Sequence, residues 1–161
     1  TWIDTSDMDF KEEFVGETFG RINKEEAHLL LKELEAYILR IGGSRILEER
    51  IDFGLISPYK AQVQDLRGKI KGSATLRPYR SLITVNTVDG FQGQERDVIF
   101  ISLVRANEEG HIGFLNDLRR MNVAITRARM KLVILGEAAT LGHHAFYKQL
   151  LEYVKKVNGR Q

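Results

Sequence analysis

Hydroxyls, amides, glycines and arginines gather in three stretches of the chain, and these are groups that hold phosphates, sugars and bases. The first, Ser57-Pro58-Tyr59-Lys60-Ala61-Gln62, sets a hydroxyl, an aromatic ring and an amide where a helix is expected to begin. A phosphate can sit on such a helix N-terminus, and Tyr59 can stack on a base for roughly 1–3 kcal/mol. The competing reading packs Tyr59 in the core and leaves Gln62 solvated. The second stretch, Thr84 through Asp97, holds Gly90 and Gly93 for close backbone approach, hydroxyls and amides for phosphate or ribose, and a carboxylate. It can equally be an ordinary turn-rich connection. The third, Asn116 through Arg129, carries Leu118, Met121, Ile125 and Ala128 at helical spacing, which predicts a helix laid against a sheet. On it Arg120 and Arg127 are seven apart and share a face, and Arg119 and Arg129 add charge. These arginines either meet an anion or form a solvated face.

Other chemistry is missing. Gly68-Lys69 is followed by Ile70 and has no glycine five residues before it, so there is no phosphate loop of the Gly-x-x-x-x-Gly-Lys-Ser/Thr type. No acidic pair ends an apolar strand to hold Mg²⁺: Asp4 stands alone and Asp52 precedes its strand. The Gly-x-Gly-x-x-Gly dinucleotide fingerprint is absent as well. The chain alone is therefore not expected to hydrolyse ATP. With 0 Cys it has no disulfide, thiolate nucleophile or cysteine zinc site, which fits a reducing compartment.

The elements that must position these stretches alternate. Trp2-Ile3-Asp4 reads as a short strand, and Asp4 to Glu17 as a loop. Asn23 is a good N-cap, with Glu25 and Glu26 in the first turn and Ala27, Leu30, Leu31, Leu34, Ile38 and Ile41 at helical spacing up to Gly42-Gly43. Phe53 to Ser57 reads as a buried strand, Pro58 to Ile70 as a helix with Pro in its first turn, and Leu82 to Val85 as a strand. Val98 to Val104 is nearly continuous apolar, the pattern of a strand covered on both faces. A helix capped by Asn116 or Asp117 runs to about Arg129, then a strand from Lys131 to Gly136 and a last helix from His144 to Val157. Alternation of this kind predicts an α/β three-layer domain with a mostly parallel sheet and right-handed crossovers. Ligands meet such sheets at the carboxyl ends of the strands, here Ser57-Pro58-Tyr59, Asn86 to Glu95, Arg105 to Gly110 and Gly136-Glu137. At 161 residues the chain makes one domain, and its apolar runs are too short to span a bilayer. Twenty-four basic against 22 acidic residues give a net charge of +2, so any electrostatic footprint for nucleic acid must be local.

Taken in order, the three stretches resemble the later motifs of superfamily 1 helicases, in the branch of the nonsense-mediated-decay RNA helicase, senataxin-like helicases and replication helicase-nucleases. Ser57 to Gln62 looks like motif IV, Thr87 to Arg105 like motif V, and Gly113 to Arg129 like motif VI. Asn23-Lys24-Glu25-Glu26-Ala27 resembles the family's Asn-x-x-Glu-Ala helix start, and Trp2 to Thr5 its first strand. The matches run from about residue 2 to 136, with 137–161 as a C-terminal helical tail of the same single domain. The resemblance implies a second, C-terminal RecA-like motor domain, P-loop-NTPase-like in fold but lacking its own P-loop, that closes over ATP and Mg²⁺ held mainly by the first. Arg127 would be the arginine finger. Gly93 and Glu95 would approach the phosphate and the ribose, with Arg120 supporting the network. Lys24 stands where some relatives carry a phosphate-contacting arginine, and lysine keeps the charge without the bidentate fork. Ser57, Tyr59, Thr87 and Asp89 would face single-stranded DNA or RNA, and Gln92 would couple that strand to the nucleotide. No residue is assigned to a metal. Partners are then the first motor domain of the same full-length chain and the strand, in the cytoplasm, or in the nucleus of a eukaryote. The missing phosphate loop reads as truncation. The alternative is a non-catalytic nucleic-acid-binding or adaptor module with a helicase-like fold.

Overall fold

A computed structural model describes residues 1–16 and 20–158. Five parallel strands form the central sheet: β1 (Trp2–Asp4), β4 (Phe53–Ser57), β5 (Ile83–Thr87), β6 (Arg96–Ser102) and β7 (Ala128–Gly136), in the order β1-β7-β6-β4-β5. Because successive side chains of a strand point to opposite faces, the apolar run of β6 supplies both layers. Val98 and Phe100 enter the core under α1 (Lys24–Ile41) and α3 (Lys60–Lys71), while Ile99 and Ile101 enter the one under α4 (Leu118–Ile125) and α6 (Ala145–Asn158). The predicted three-layer α/β architecture with a parallel sheet is present, as in a RecA-like domain. A short antiparallel pair, β2 (Glu13–Phe14) and β3 (Arg21–Ile22), stands apart from the sheet. Its first strand, like a 3-10 turn at Ser6–Met8, falls within the stretch from Asp4 to Glu17 expected to be only loop, whose last residue, 17, lies outside the described residues.

Local chemistry explains most boundaries. Asn23 Oδ1 accepts the Glu26 backbone N–H at 3.1 Å and starts α1, which ends at Gly42. After it come α2 (Gly43–Glu49), unforeseen in the sequence, and a 3-10 segment, Arg77–Leu82. The α3 helix starts later than expected: Tyr59 is its extended N-cap, so Pro58 lies before the helix and not in its first turn. The tail holds α5 (Ala138–Leu141) and α6, with residues 159–161 outside the described set.

The largest departure is α4. It ends at Ile125 rather than near Arg129, because the Thr126 hydroxyl turns back on the carbonyls of Asn122 and Val123, and the chain from Ala128 pairs with β6. Arg127 and Arg129 are therefore off the helix. Arg120 and Arg127 do not share a helical face, and the apolar stripe is shortened by Ala128, now in a strand, and by Leu118, which is exposed.

Candidate functional site

The segment from Asn86 to Glu95 does not stay at the carboxyl ends of the strands. It leaves β5 there, crosses one face of the sheet with Phe91 fully buried, and delivers Gly93, Gln94 and Glu95 to the opposite, amino edge where β6 begins. Gly93 has φ +77° with open space around it, so its backbone conformation and not crowding calls for glycine. Arg127 meets this loop from the start of β7. Its Nε donates to Val123 O at 3.1 Å, its Nη1 to Gln94 O at 3.4 Å and its Nη2 to Thr126 Oγ1 at 3.3 Å, while its own carbonyl accepts the Arg96 N–H at 3.0 Å. Among the described residues no carboxylate pairs with Arg127. A guanidinium aimed by neutral oxygens and left without a counter-charge is suited to an anion supplied from outside. Glu95 is exposed in the same loop, free to accept from hydroxyls.

Arg129, two residues on, is different. It lies opposite a register shift between Arg96 and Val98, and binds Asp97 Oδ1 in β6 and Asp52 Oδ1 just before β4, each at 3.0 Å. Burial works against the Asp97 carboxylate, but the Asp52 N–H and the Arg129 guanidinium outweigh it and hold its pKa below the usual range. Arg129 is thus structural, and the concentrated arginine face expected from the sequence divides into groups with separate tasks.

At the carboxyl edge a groove lies between the loop after β5 and the start of α4. Its walls include Pro58, Thr87, Asp89, Gln92, Arg119 and Arg120. Arg120 Nη2 bridges to Asp89 Oδ2 at 3.2 Å, and Asp117 caps α4 through the Arg120 N–H. Thr87, Asp89 and Gln92 are brought together as the sequence suggested, and Gln92 stands one residue from Gly93, between the groove and the amino-edge loop. Arg120, expected to support the phosphate network, is a correction, because its ion pair with Asp89 holds it in this groove and away from Arg127.

Ser57 and Tyr59 are corrections. Ser57 is 0% exposed and Tyr59 3%, so neither side chain offers surface to a strand. The Tyr59 ring stacks on Phe114 (centroids 5.2 Å, planes 21° apart), and its hydroxyl donates to Ile112 O at 3.4 Å and accepts from Arg105 Nη1 at 3.3 Å. Gln62, expected to be solvated if Tyr59 were core, is itself buried, bonded to Asn23 and Ser102. Lys24 is separated from the Arg127 group. Its neighbour Asn23 donates to Val104 O beyond the far end of β6, whereas Arg127 sits at the near end, so a seven-residue strand, about 20 Å long, intervenes.

Two hubs, one partly buried at Glu12 and one fully buried at Glu26, escaped the sequence reading. Glu12 accepts from Arg105 Nε at 3.1 Å, Ala106 N at 3.0 Å and Asn107 Nδ2 at 2.6 Å, and also pairs with Arg21. Glu26 accepts from Ser102 Oγ at 2.6 Å and Val104 N at 2.8 Å, with its other oxygen buried and unpartnered among the described residues. Burial pushes the Glu26 pKa up to about 7, against the lowering effect of those two bonds. Arg105 lay inside a recognised stretch, but nothing local marked Glu12 as its partner.

A family model described as an AAA domain, AAA_12, matches residues 1–139. The chain is a superfamily 1 helicase domain of that family. Relatives include the probable helicase MAGATAMA 3 of Arabidopsis thaliana, 38% identical over 143 residues that make up 89% of this chain and 17% of that protein. Helicase SEN1 of Saccharomyces cerevisiae is 37% identical over 90% of this chain and 6% of its own length. A Drosophila melanogaster homolog of regulator of nonsense transcripts 1 is 38% identical over 90% of this chain and 12% of its own. The helicase domain spans less than a fifth of these relatives. Among the described residues no helix is long and apolar enough to cross a membrane.

Proposed function

We propose that the chain is the second motor domain of an ATP-dependent helicase that moves on single-stranded DNA or RNA, and that it works only when joined to a first domain carrying the phosphate loop. The observation that carries this reading is the Arg127 guanidinium, without a carboxylate partner among the described residues and held on the Val123 and Gln94 carbonyls beside Gly93 and Glu95. The relatives' names as helicases support it. Bound ATP with Mg²⁺ supplies the anhydride to be cleaved. Arg127 neutralises charge that develops on the transferred phosphoryl group, Gly93 lets the backbone come close to it, and Glu95 accepts from ribose hydroxyls. These residues fit one wall of a nucleotide cleft. They do not make a phosphate cradle, which the sequence lacks.

Opening and closing of the interdomain cleft would reach the strand through Gln92, whose loop joins the amino-edge group to the groove lined by Thr87, Asp89 and Arg120. The test is nucleic-acid-stimulated ATP hydrolysis by the complete protein that carries this chain. Arg127→Ala is expected to lower kcat by about 10³- to 10⁵-fold, and the 161-residue chain alone to show no turnover. Robust hydrolysis by the chain alone, or full activity in Arg127→Ala, overturns the proposal, and a complete protein that binds nucleic acid without hydrolysing ATP would favour the adaptor.

A further inference from the structure

With Tyr59 buried, the groove needs another aromatic surface if bases are to stack there, and the structure offers one. Phe114 is 54% exposed, and its ring borders the hollow lined by Pro58, Thr87, Asp89 and Arg120. We propose that Phe114 is the platform on which a nucleobase of the bound single strand stacks, an assignment that rests on the reading of this groove as the strand site. Its inner surface lies on Tyr59, and Tyr59 is fixed in turn by Ile112 and Arg105, so the ring is held in place before any base arrives. The backbone is fixed too. Gly113 has φ +52°, and a Cβ there would collide with the Arg105 guanidinium and press on the Tyr59 hydroxyl, which keeps the Gly113–Asn116 segment against the aromatic pair. A base on Phe114 continues a stack already two rings deep. Arg119 on the neighbouring wall supplies positive charge for the phosphates that flank it. Phe14, the other exposed phenylalanine among the described residues, is covered instead by Arg21 at 4.8 Å.

The experiment measures Kd of the complete protein carrying this chain for oligothymidylate and for the same oligomer with abasic sites, across a salt series. Phe114→Ala is expected to weaken binding to oligothymidylate by roughly 5- to 100-fold, with the salt slope unchanged because no phosphate contact is lost. Wild type should prefer the base-bearing strand, and the variant should bind both strands alike. Phe114→Leu, which keeps apolar packing on Tyr59 but lacks a π-face, should behave like Phe114→Ala, and Phe114→Trp should retain the preference. The proposal is overturned if Phe114→Ala binds as wild type. It is equally overturned if affinity falls by the same factor for both strands, which would place the ring against protein. A wild-type protein that binds neither oligomer sinks the reading of the groove itself.

Discussion

At the carboxyl edge of the sheet the cations are neutralised within the fold: Arg105 by Glu12 and Arg120 by Asp89. At the amino edge Arg127 leans on carbonyl and hydroxyl oxygens, with no carboxylate among the described residues. The difference separates scaffold from site. Paired charges at one edge hold loops in place and shape a groove; the unpaired one at the other is unfinished until an anion arrives. If that division is right, changes at Arg127 should damage turnover without damaging stability, and changes in the paired hubs should do the reverse.

The sharpest break would come at Arg127. Beyond the loss expected for Arg127→Ala, Arg127→Lys should recover little of the 10³- to 10⁵-fold deficit, because lysine keeps the charge but not the fork that spans Val123, Gln94 and an anion together. Both variants should melt within a few degrees of wild type, since the lost bonds are to half-exposed neutral groups. A large fall in Tm would make Arg127 part of the scaffold and erase the distinction between the two edges.

Next in size is Glu12→Ala. It leaves Arg105, 7% exposed, without its carboxylate and strips the acceptor from the Ala106 and Asn107 donors. Breaking a buried pair on one side costs about 3–5 kcal/mol, measurable as a lower urea midpoint. Ordinary stability in that variant would contradict the scaffold role of the carboxyl edge.

The residues that behave this way divide by how local their signals are. Asn23 announces α1 because a cap and the apolar positions it precedes lie within one segment, and Phe53 to Ser57 declares a buried strand by composition alone. Glu12 had no such signal, since its partner Arg105 is 93 positions away. Sequence left Tyr59 open between a base-stacking and a core role, because Phe114 and Arg105, which enclose it, come from beyond β6. The end of α4 was misplaced for the same reason: the heptad spacing of Arg120 and Arg127 is real, but pairing of Ala128 with Arg96 overrides it. Motif order put Arg127 with Gly93 and Glu95, which do lie together, but it also enlisted Lys24 and Arg120, which lie at the other edge, and Ser57 and Tyr59, which are buried.

Glu26 tests the carboxyl edge through pH. Its pKa is raised by burial from 4.5 unfolded to about 7 folded, so the fold favours the protonated form. The stability this contributes is complete below pH 4.5 and is lost as pH rises through about 7, for a total of roughly 3 kcal/mol. Glu26→Gln removes the titration, and the difference in unfolding free energy between variant and wild type should grow in the variant's favour from pH 4.5 to pH 7. A pH-independent difference would mean that Glu26 does not titrate in that window.

The smallest effect is expected two residues from the largest. Arg129 is a guanidinium like Arg127 and belongs to the same edge, but its salt bridges to Asp52 and Asp97 are partly exposed, so Arg129→Ala should cost only about 1 kcal/mol or less and leave ATP turnover unchanged. What little it costs should depend on acid. The Asp97 pKa is depressed in the fold, so the stability it contributes is present above the ordinary carboxylate range and lost as pH falls through the lower folded value. The destabilisation by Arg129→Ala should therefore shrink as pH is lowered below about 4, because the protonated partner has no charge left to pair. A drop in kcat for Arg129→Ala comparable to that of Arg127→Ala would show that proximity to the nucleotide wall, and not the presence or absence of a counter-charge, decides which arginine acts.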